Sequence, residues 1–271
     1  MNRGIVLKSA RELLPATLLL GAAMAILQAI LAYVLPTFAQ QIVGNIMQIR
    51  FAQTFIEALI GAKVAPDMDA ATFGTIAWTH PVALALLWAH AAIATTRVPA
   101  GEVDRGTIDV LFGLPVSRVG AYASDTLAWG AAGTVLIAAA LAGHFIGSRW
   151  LPEGLRPDWA RVVIVLVNML AMYLAVGGLG ALCSSFSDRR GWAIGLIFAL
   201  VVTSFLVNYL AQLWEPARRF EYLSVLRYYR PLLTMRDGAW PLGGIAVLLA
   251  IGAAFWAAGA AIFARRDLTT T

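Results

Sequence analysis

The sequence predicts an all-α integral membrane protein with six transmembrane helices, folded as a single domain over residues 1–271. Of its residues, 60% are hydrophobic and only 13% are charged, and the mean hydropathy of +0.76 exceeds that of soluble globular domains. A helix needs about 20 apolar residues to cross a bilayer. Six segments satisfy this requirement, at roughly residues 13–37, 79–97, 119–147, 161–186, 191–213 and 241–264.

The first twelve residues combine apolar side chains with four charged ones, which predicts a short amphipathic helix lying at the membrane interface. The first span that follows is too long for the apolar core of a signal peptide, and no small-residue cleavage site comes after it. We therefore expect it to remain as an anchor. Membrane anchoring and a lateral contact with a cytosolic partner are both compatible with the amphipathic helix.

The two long connections on the opposite side differ in pattern. Residues 42–60 place apolar side chains near a helical period, which predicts an outer interfacial helix, whereas residues 63–81 are interrupted by proline and glycine and predict an irregular loop. Residues 213–235, between spans five and six, are too polar to cross the membrane but rich in Trp, Tyr and Phe. This mixture is typical of interfacial helices seated among lipid headgroups.

An even number of spans places both termini on the same side. With the termini inside, the inner and outer loops each contain ten of the 20 lysines and arginines, so the total does not decide the orientation. The inner charges lie close to the span ends, which favours cytoplasmic termini. The net charge of +5 is ordinary for a bacterial-type inner-membrane protein facing anionic lipid. No basic stripe with interleaved aromatics indicates a nucleic-acid partner.

The connection between spans two and three is a charged island, EVDRGTIDVLFGLPVSR, between apolar segments. Its charges predict a short helix with one solvated side, its apolar residues predict a second side, and Gly113 and Pro115 end it. A helix of this kind could dock into a groove on a partner, but an ordinary solvated loop fits the periodicity equally well.

The motif within this island resembles the coupling helix of type-2 ATP-binding-cassette (ABC) transporter permeases. Glu102, the Arg105-Gly106-Thr107 run, Leu111 and the run from Leu114 to Arg118 carry the resemblance. The end of span four, GLGALCSSFSDRRG, and the run from Phe263 to Leu268 are similar to the same family. One departure is Asp125, which stands where relatives usually have a lysine.

The resemblance implies a permease subunit of an ATP-driven exporter that pairs with a second permease copy or close relative and with two cytosolic ATPase subunits. It also implies which residues contact the ATPase, with Glu102 and Arg105 as polar contacts, Gly106 allowing close approach and two leucines filling a groove. Local salt bridges are the alternative role for the charged pair, and Arg118 is expected to be an interfacial anchor. The implied coupling residues are Glu102, Arg105, Gly106, Thr107, Leu111, Leu114 and Pro115.

The sequence has no G-x-x-x-x-G-K-[ST] phosphate loop, so ATP and Mg are expected on the partner ATPase, with no cofactor on this chain. It also has no H-E-x-x-H motif, paired mid-membrane aspartates or inverted repeat, which argues against an intramembrane enzyme and a secondary transporter. A mechanical or envelope-assembly role with the same ATPase, without a transported small molecule, remains an alternative. The apolar spans favour an amphipathic or hydrophobic substrate.

Four polar residues within the spans are candidates for a substrate pathway or for contacts between helices. Asp125 lies seven residues after Arg118, and an interfacial pair with a nearby arginine is a simpler role for it than a proton relay. An interhelical hydrogen bond is likewise the simpler role for His90. Helix-to-helix bonds are also the default for the two amides. The four are His90, Asp125, Asn168 and Asn208.

Overall fold

The computed structural model describes residues 2–41, 49, 51, 53–54, 57, 73–113 and 115–267. Six helices in this part of the chain are long and apolar enough to cross a membrane, which confirms the predicted fold class. They are α1 (Arg3–Gln41), α2 (Pro81–Thr95), α3 (Arg118–Ser148), α4 (Trp159–Phe186), α5 (Arg190–Leu213) and α6 (Leu242–Arg265).

The helices begin where the sequence provides start signals. Ser117 accepts a hydrogen bond from the amide of Gly120 at the start of α3, and Asp158 accepts bonds from two amides at the start of α4. His80 caps α2, whose first residue is Pro81. Each cap satisfies amides that a helix end would otherwise leave without partners.

The prediction of a separate amphipathic helix over residues 1–12 is wrong, because α1 continues without a break from Arg3 to Gln41. No glycine separates Glu12 from the first span, and buried side chains repeat every three or four residues from Ile5 through Leu13 to Met24. At ~1.5 Å per residue the 39 residues of α1 extend about 58 Å, well beyond a ~30 Å apolar core. The charged residues at its start can therefore lie outside that core.

Two helix pairs approach closely enough for their backbones to touch. In α3, a Cβ atom on Gly143 would lie 2.0 Å from the carbonyl oxygen of Ala25 in α1. In α4, a Cβ atom on Gly178 would lie 2.2 Å from the carbonyl oxygen of Gly252 in α6. Small residues at such crossings allow close packing within a membrane. The bundle thus contains two tightly packed pairs, α1 with α3 and α4 with α6.

The connection between α5 and α6 is itself largely helical. Between α5 and α6 the chain forms two 3₁₀ helices, Glu215–Leu223 and Val225–Tyr228, and a short α-helix, Pro231–Asp237. These match the predicted helical character of that connection. Most of the predicted outer helix over residues 42–60 lies outside the described residues.

Candidate functional site

The connection between α2 and α3, residues 96–117, is called the α2–α3 linker. It contains a turn at Arg97–Gly101 that is interrupted by the extended residue Val98, followed by two short helices, Glu102–Asp104 and Ile108–Phe112. Gly106 separates the short helices with a φ of 67°, in the left-handed region that favours glycine. The predicted charged helix is therefore two short helices set at a turn.

Glu102 is the centre of a charged cluster inside the protein. Glu102 is only 2% exposed. Lys8 of α1 donates to Glu102 Oε1 at 2.6 Å, and Thr107 donates to Oε2 at 2.5 Å. Arg105 Nη2 also donates to Oε1, at 2.8 Å. Burial alone would raise the pKa of Glu102, but the hydrogen bonds from Lys8 and Thr107 and the nearby positive charges bring it below its ordinary value.

The predicted solvated position of Glu102 is therefore wrong. Its carboxylate faces α1 because Lys8 and Arg105 compensate its charge there, and a buried carboxylate without such partners would be costly. The local salt bridge to Arg105 that the sequence left open is present. Arg105 itself has an exposed side chain, at 45%, so it can reach a partner protein as well.

A second ion pair joins the start of the linker to α1. Arg97, only 5% exposed, pairs with Glu12. Asp125 of α3, 2% exposed, also acts electrostatically on Arg97, and its Oδ1 atom has no hydrogen-bond partner among the described residues. The nearby arginine that interacts with Asp125 is thus Arg97 rather than Arg118, which donates to the carbonyl oxygens of Phe263 and Arg266.

The apolar side of the linker packs on the same end of the bundle. Ile108 is fully buried and Leu111 is 6% exposed, in a cluster that includes Ile5 of α1 and Phe263 of α6. Leu111 thus packs mainly within the chain, and its role in filling a partner's groove stays a prediction. Val110, by contrast, is 75% exposed. Leu114 lies outside the described residues, and Pro115 is exposed.

Two further arginines tie neighbouring helix ends to this face. The backbone amide of Arg190, at the start of α5, donates to Asp104 Oδ2 at 3.3 Å, and its Nη2 donates to the carbonyl of Ile93 at 3.0 Å. Arg266, just after α6, pairs with Asp188 and donates to the carbonyl of Ser185 at 3.0 Å. Polar groups thus join the linker to α1 and α5, while Arg266 joins the end of α6 to the connection between α4 and α5.

A groove of ≈ 360 Å³ runs between the start of α1 and the linker. Its walls combine charged and apolar side chains, and the exposed surface of Val110 borders it. The residues lining it are Lys8, Glu12, Glu102, Arg105, Thr107, Val110 and Leu111.

Sequence reasoning missed three members of this cluster, Lys8, Glu12 and Arg97. The spacing of Lys8 and Glu12 by four residues was a signal that both lie on one side of a helix, and their separation is 3.4 Å. Nothing in the sequence indicates that this side faces the α2–α3 linker.

The polar residues within the spans occupy separate positions. The ring nitrogens of His90 lie 3.0 Å from the hydroxyls of Thr17 in α1 and Tyr173 in α4, so His90 bridges two neighbouring helices. Asn168 donates to the carbonyl of Tyr228 at 3.2 Å, and Asn208 is 7% exposed. The described residues contain no group of three His, Cys, Asp or Glu side chains placed to hold a metal ion.

A family model described as ABC-2 family transporter protein matches residues 8–268 of the chain. The match begins at Lys8, within the cluster described above, and extends past the end of α6. No curated protein and no solved structure matched the chain.

Proposed function

This chain belongs to the ABC-2 transporter family, as its linker motif predicted, and from that premise we propose that it is the permease subunit of an ATP-driven exporter. Membership makes it a membrane component of an ABC transporter. The α2–α3 linker is its contact with a separate cytosolic ATPase. Two ATPase subunits, each binding ATP and Mg, and a second permease copy or close relative complete the complex.

The observation that carries this proposal is the division of the linker into an anchored side and an exposed side. Glu102, Ile108 and Leu111 hold one side against the bundle. The other side presents Arg105 and Val110, the latter 75% exposed. An exposed apolar side chain on a short helix can enter a hydrophobic groove of a partner, and arginine is enriched among the residues that dominate such contacts.

This division revises which residues touch the ATPase. Val110 and Arg105 take the contact roles, and Gly106 leaves open space beside them, since no atom lies within 4 Å of where its Cβ would be. Glu102 acts inside the chain, where it holds the linker to Lys8, and Thr107 holds the carboxylate of Glu102 in place. Pro115 is exposed near the start of α3 and is the remaining proposed contact.

Force on the linker would reach the spans through its ion pairs. When ATP brings the two ATPases together, a linker seated on their surface would shift with them. Lys8 and Glu12 would pass the displacement to α1, and Arg190 would pass it to α5. The two tightly packed helix pairs would then tilt as units between inward-open and outward-open states.

The orientation and the cargo follow from the same proposal. The linker and both ends of the described chain lie on one face, since Asn2 bonds Ser124 at 2.9 Å and Arg266 bonds Arg118. We place this face in the cytoplasm of a bacterial-type inner membrane, in contact with its lipid. An amphipathic or hydrophobic cargo suits spans that contain few charged residues.

The test is reconstitution of the chain with its partner ATPase in lipid vesicles. Val110→Glu should leave insertion unchanged but weaken assembly about 30-fold, because it replaces roughly 2 kcal/mol of apolar burial by a charge. Trp150→Glu is the control, since Trp150 is 78% exposed just beyond the opposite end of α3. Wild-type assembly and ATP hydrolysis in the Val110→Glu complex would contradict the proposed contact.

The same vesicles separate transport from a purely mechanical role. A dye-labelled phospholipid added to the ATPase-facing leaflet should stimulate ATP hydrolysis and appear in the opposite leaflet. ATP hydrolysis that depends on Val110 but moves no amphipathic probe would support the mechanical alternative.

A further inference from the structure

The chain segment that connects α5 to α6 forms, with the start of α6, a cavity of ≈ 380 Å³ on the face opposite the α2–α3 linker. The cavity lies on that opposite face because α5 spans the bundle. This helix starts beside Asp104 of the linker and ends at Leu213, just before the segment that forms the cavity. The cavity volume falls within the ~300–1,000 Å³ typical of small-ligand sites. Among the residues lining it are Arg227, Tyr228, Arg230, Leu233, Trp240 and Gly244.

The cavity has an excess of positive charge. Arg227 Nη1 lies 2.7 Å from Glu221 Oε2, and Arg230 pairs with the other oxygen of the same carboxylate. Asp237 is engaged by Arg236, with Nε to Oδ1 at 2.7 Å. The charged lining residues are Arg227, Arg230 and Asp237, and their partners Glu221 and Arg236 add one charge of each sign, which leaves one positive charge in excess.

The two arginines that line the cavity retain unused donors. A guanidinium has five N–H groups, and Glu221 accepts from one nitrogen of each arginine. Arg230 Nε is also used, donating to the carbonyl of Arg227 at 3.1 Å. Their side chains are 43% and 36% exposed, so the remaining N–H groups are accessible to a ligand.

The rim of the cavity is aromatic and apolar. Trp240, which is 50% exposed, and Tyr228 line the cavity, and Leu242, which is 67% exposed, follows Trp240 by two residues at the start of α6. Tryptophan and tyrosine are enriched where a membrane protein meets lipid headgroups. The helix α6 begins at this wall, and a Cβ atom on Gly244 would lie 2.7 Å from the carbonyl oxygen of Tyr228. The basic centre is thus directly beside a surface suited to an apolar chain.

We propose that this cavity binds the phosphate group of an anionic amphiphile. Arg227 and Arg230 donate to the phosphate oxygens, a geometry that guanidinium groups match closely. The single excess positive charge complements a phosphodiester, which carries one negative charge. Trp240 and Leu242 contact the adjoining apolar part, whereas a free phosphate would use the arginines alone.

The experiment measures ligand retention by the purified chain in neutral detergent. In one arm, native mass spectrometry follows bound phosphatidylglycerol, with zwitterionic phosphatidylcholine as the reference lipid. In the other arm, equilibrium dialysis follows radiolabelled inorganic phosphate. Wild-type protein should retain phosphatidylglycerol in preference to phosphatidylcholine. Retention of inorganic phosphate with the same arginine dependence would support the site and identify free phosphate as a ligand.

Three variants test the assignment of the arginines. The double variant Arg227→Gln with Arg230→Gln should weaken retention about tenfold, because it removes charged donors to the phosphate. The control, Arg218→Gln with Arg219→Gln, removes the same charge from exposed arginines that do not line the cavity and should change retention little. Glu221→Gln should strengthen retention, since it removes the carboxylate that competes for both arginines.

The Glu221→Gln variant also distinguishes loss of the site from misfolding, because its ligand retention is expected to rise and a misfolded protein would not bind more ligand. If the double variant misfolds, adding Glu221→Gln to it removes the unpaired carboxylate, and weak retention should persist in the folded triple variant. Equal loss in the Arg218 and Arg219 control would indicate nonspecific attraction and overturn the proposal. So would unchanged retention in the Arg227 and Arg230 variant together with no gain in Glu221→Gln.

Discussion

The ion pair between Lys8 and Glu102 can be measured directly by a double-mutant cycle. The single variants are Lys8→Met and Glu102→Gln, and both are then combined. The atoms are 2.6 Å apart, and the side chains are 42% and 3% exposed, so the pair is neither a surface nor a fully buried one. Surface pairs contribute about 0–1 kcal/mol, and breaking a buried pair costs roughly 3–5 kcal/mol. We expect a coupling energy of about 1–2 kcal/mol.

The assay is SDS-induced unfolding of the purified protein, followed by tryptophan fluorescence. The control is the cycle for Lys8 and Glu12, which lie 3.4 Å apart with side chains 42% and 39% exposed. That exposed pair should couple by only about 0.3–0.5 kcal/mol. A Lys8–Glu102 coupling no larger than the control would refute the reasoning that burial of one partner strengthens this contact.

The coupling energy between Lys8 and Glu102 should also change with pH in a defined direction. The pKa of Glu102 is lowered in the folded protein, since hydrogen bonds and positive charges outweigh its burial. Its stabilising contribution should therefore be complete above the unfolded-state value of about 4.3 and lost as the pH falls through the lower folded value. Coupling that instead disappears as the pH rises from 5 to 7 would contradict the assignment.

Two further substitutions test the packing of the bundle. Gly143→Ala should destabilise by about 1–3 kcal/mol in the SDS titration, because its Cβ would lie 2.0 Å from a carbonyl oxygen of α1, whereas Gly130→Ala, with nothing within 4 Å, should not destabilise. Tyr173→Phe should cost roughly 1–3 kcal/mol in thermal unfolding, since its hydroxyl lies 3.0 Å from His90, while Tyr222→Phe, 57% exposed, should change little.

The six spans could be predicted from the sequence because each depends on about 20 neighbouring residues. Five of the six match the observed helices within about two residues at each end. The first span differs because a membrane helix can continue into water, where charged residues at Arg3, Lys8 and Arg11 remain solvated without ending it. Hydropathy identifies the apolar part of such a helix and not its true start.

The interior of the linker cluster could not be predicted in the same way. Glu102 and Lys8 are 94 positions apart, so the sequence shows two charges but not that they meet. The inward position of Leu111 could not be predicted for a local reason. The sequence pattern was interpreted as one regular helix from Glu102 onwards, but the chain turns at Gly106. In the second short helix, after this turn, Leu111 faces inward and Val110 faces outward.

The arrangement of charges distinguishes this linker from a peptide that merely docks. A docking loop needs only its exposed side, and its inner residues could be apolar at little cost. Here the buried Glu102 holds Lys8, and the exposed Asp104 holds the start of α5, over sequence distances of 94 and 86 residues. A displacement of the linker must therefore move α1 and α5 with it or break these bonds. In the proposed complex, the anchored side converts the contact with the ATPase into motion of the spans.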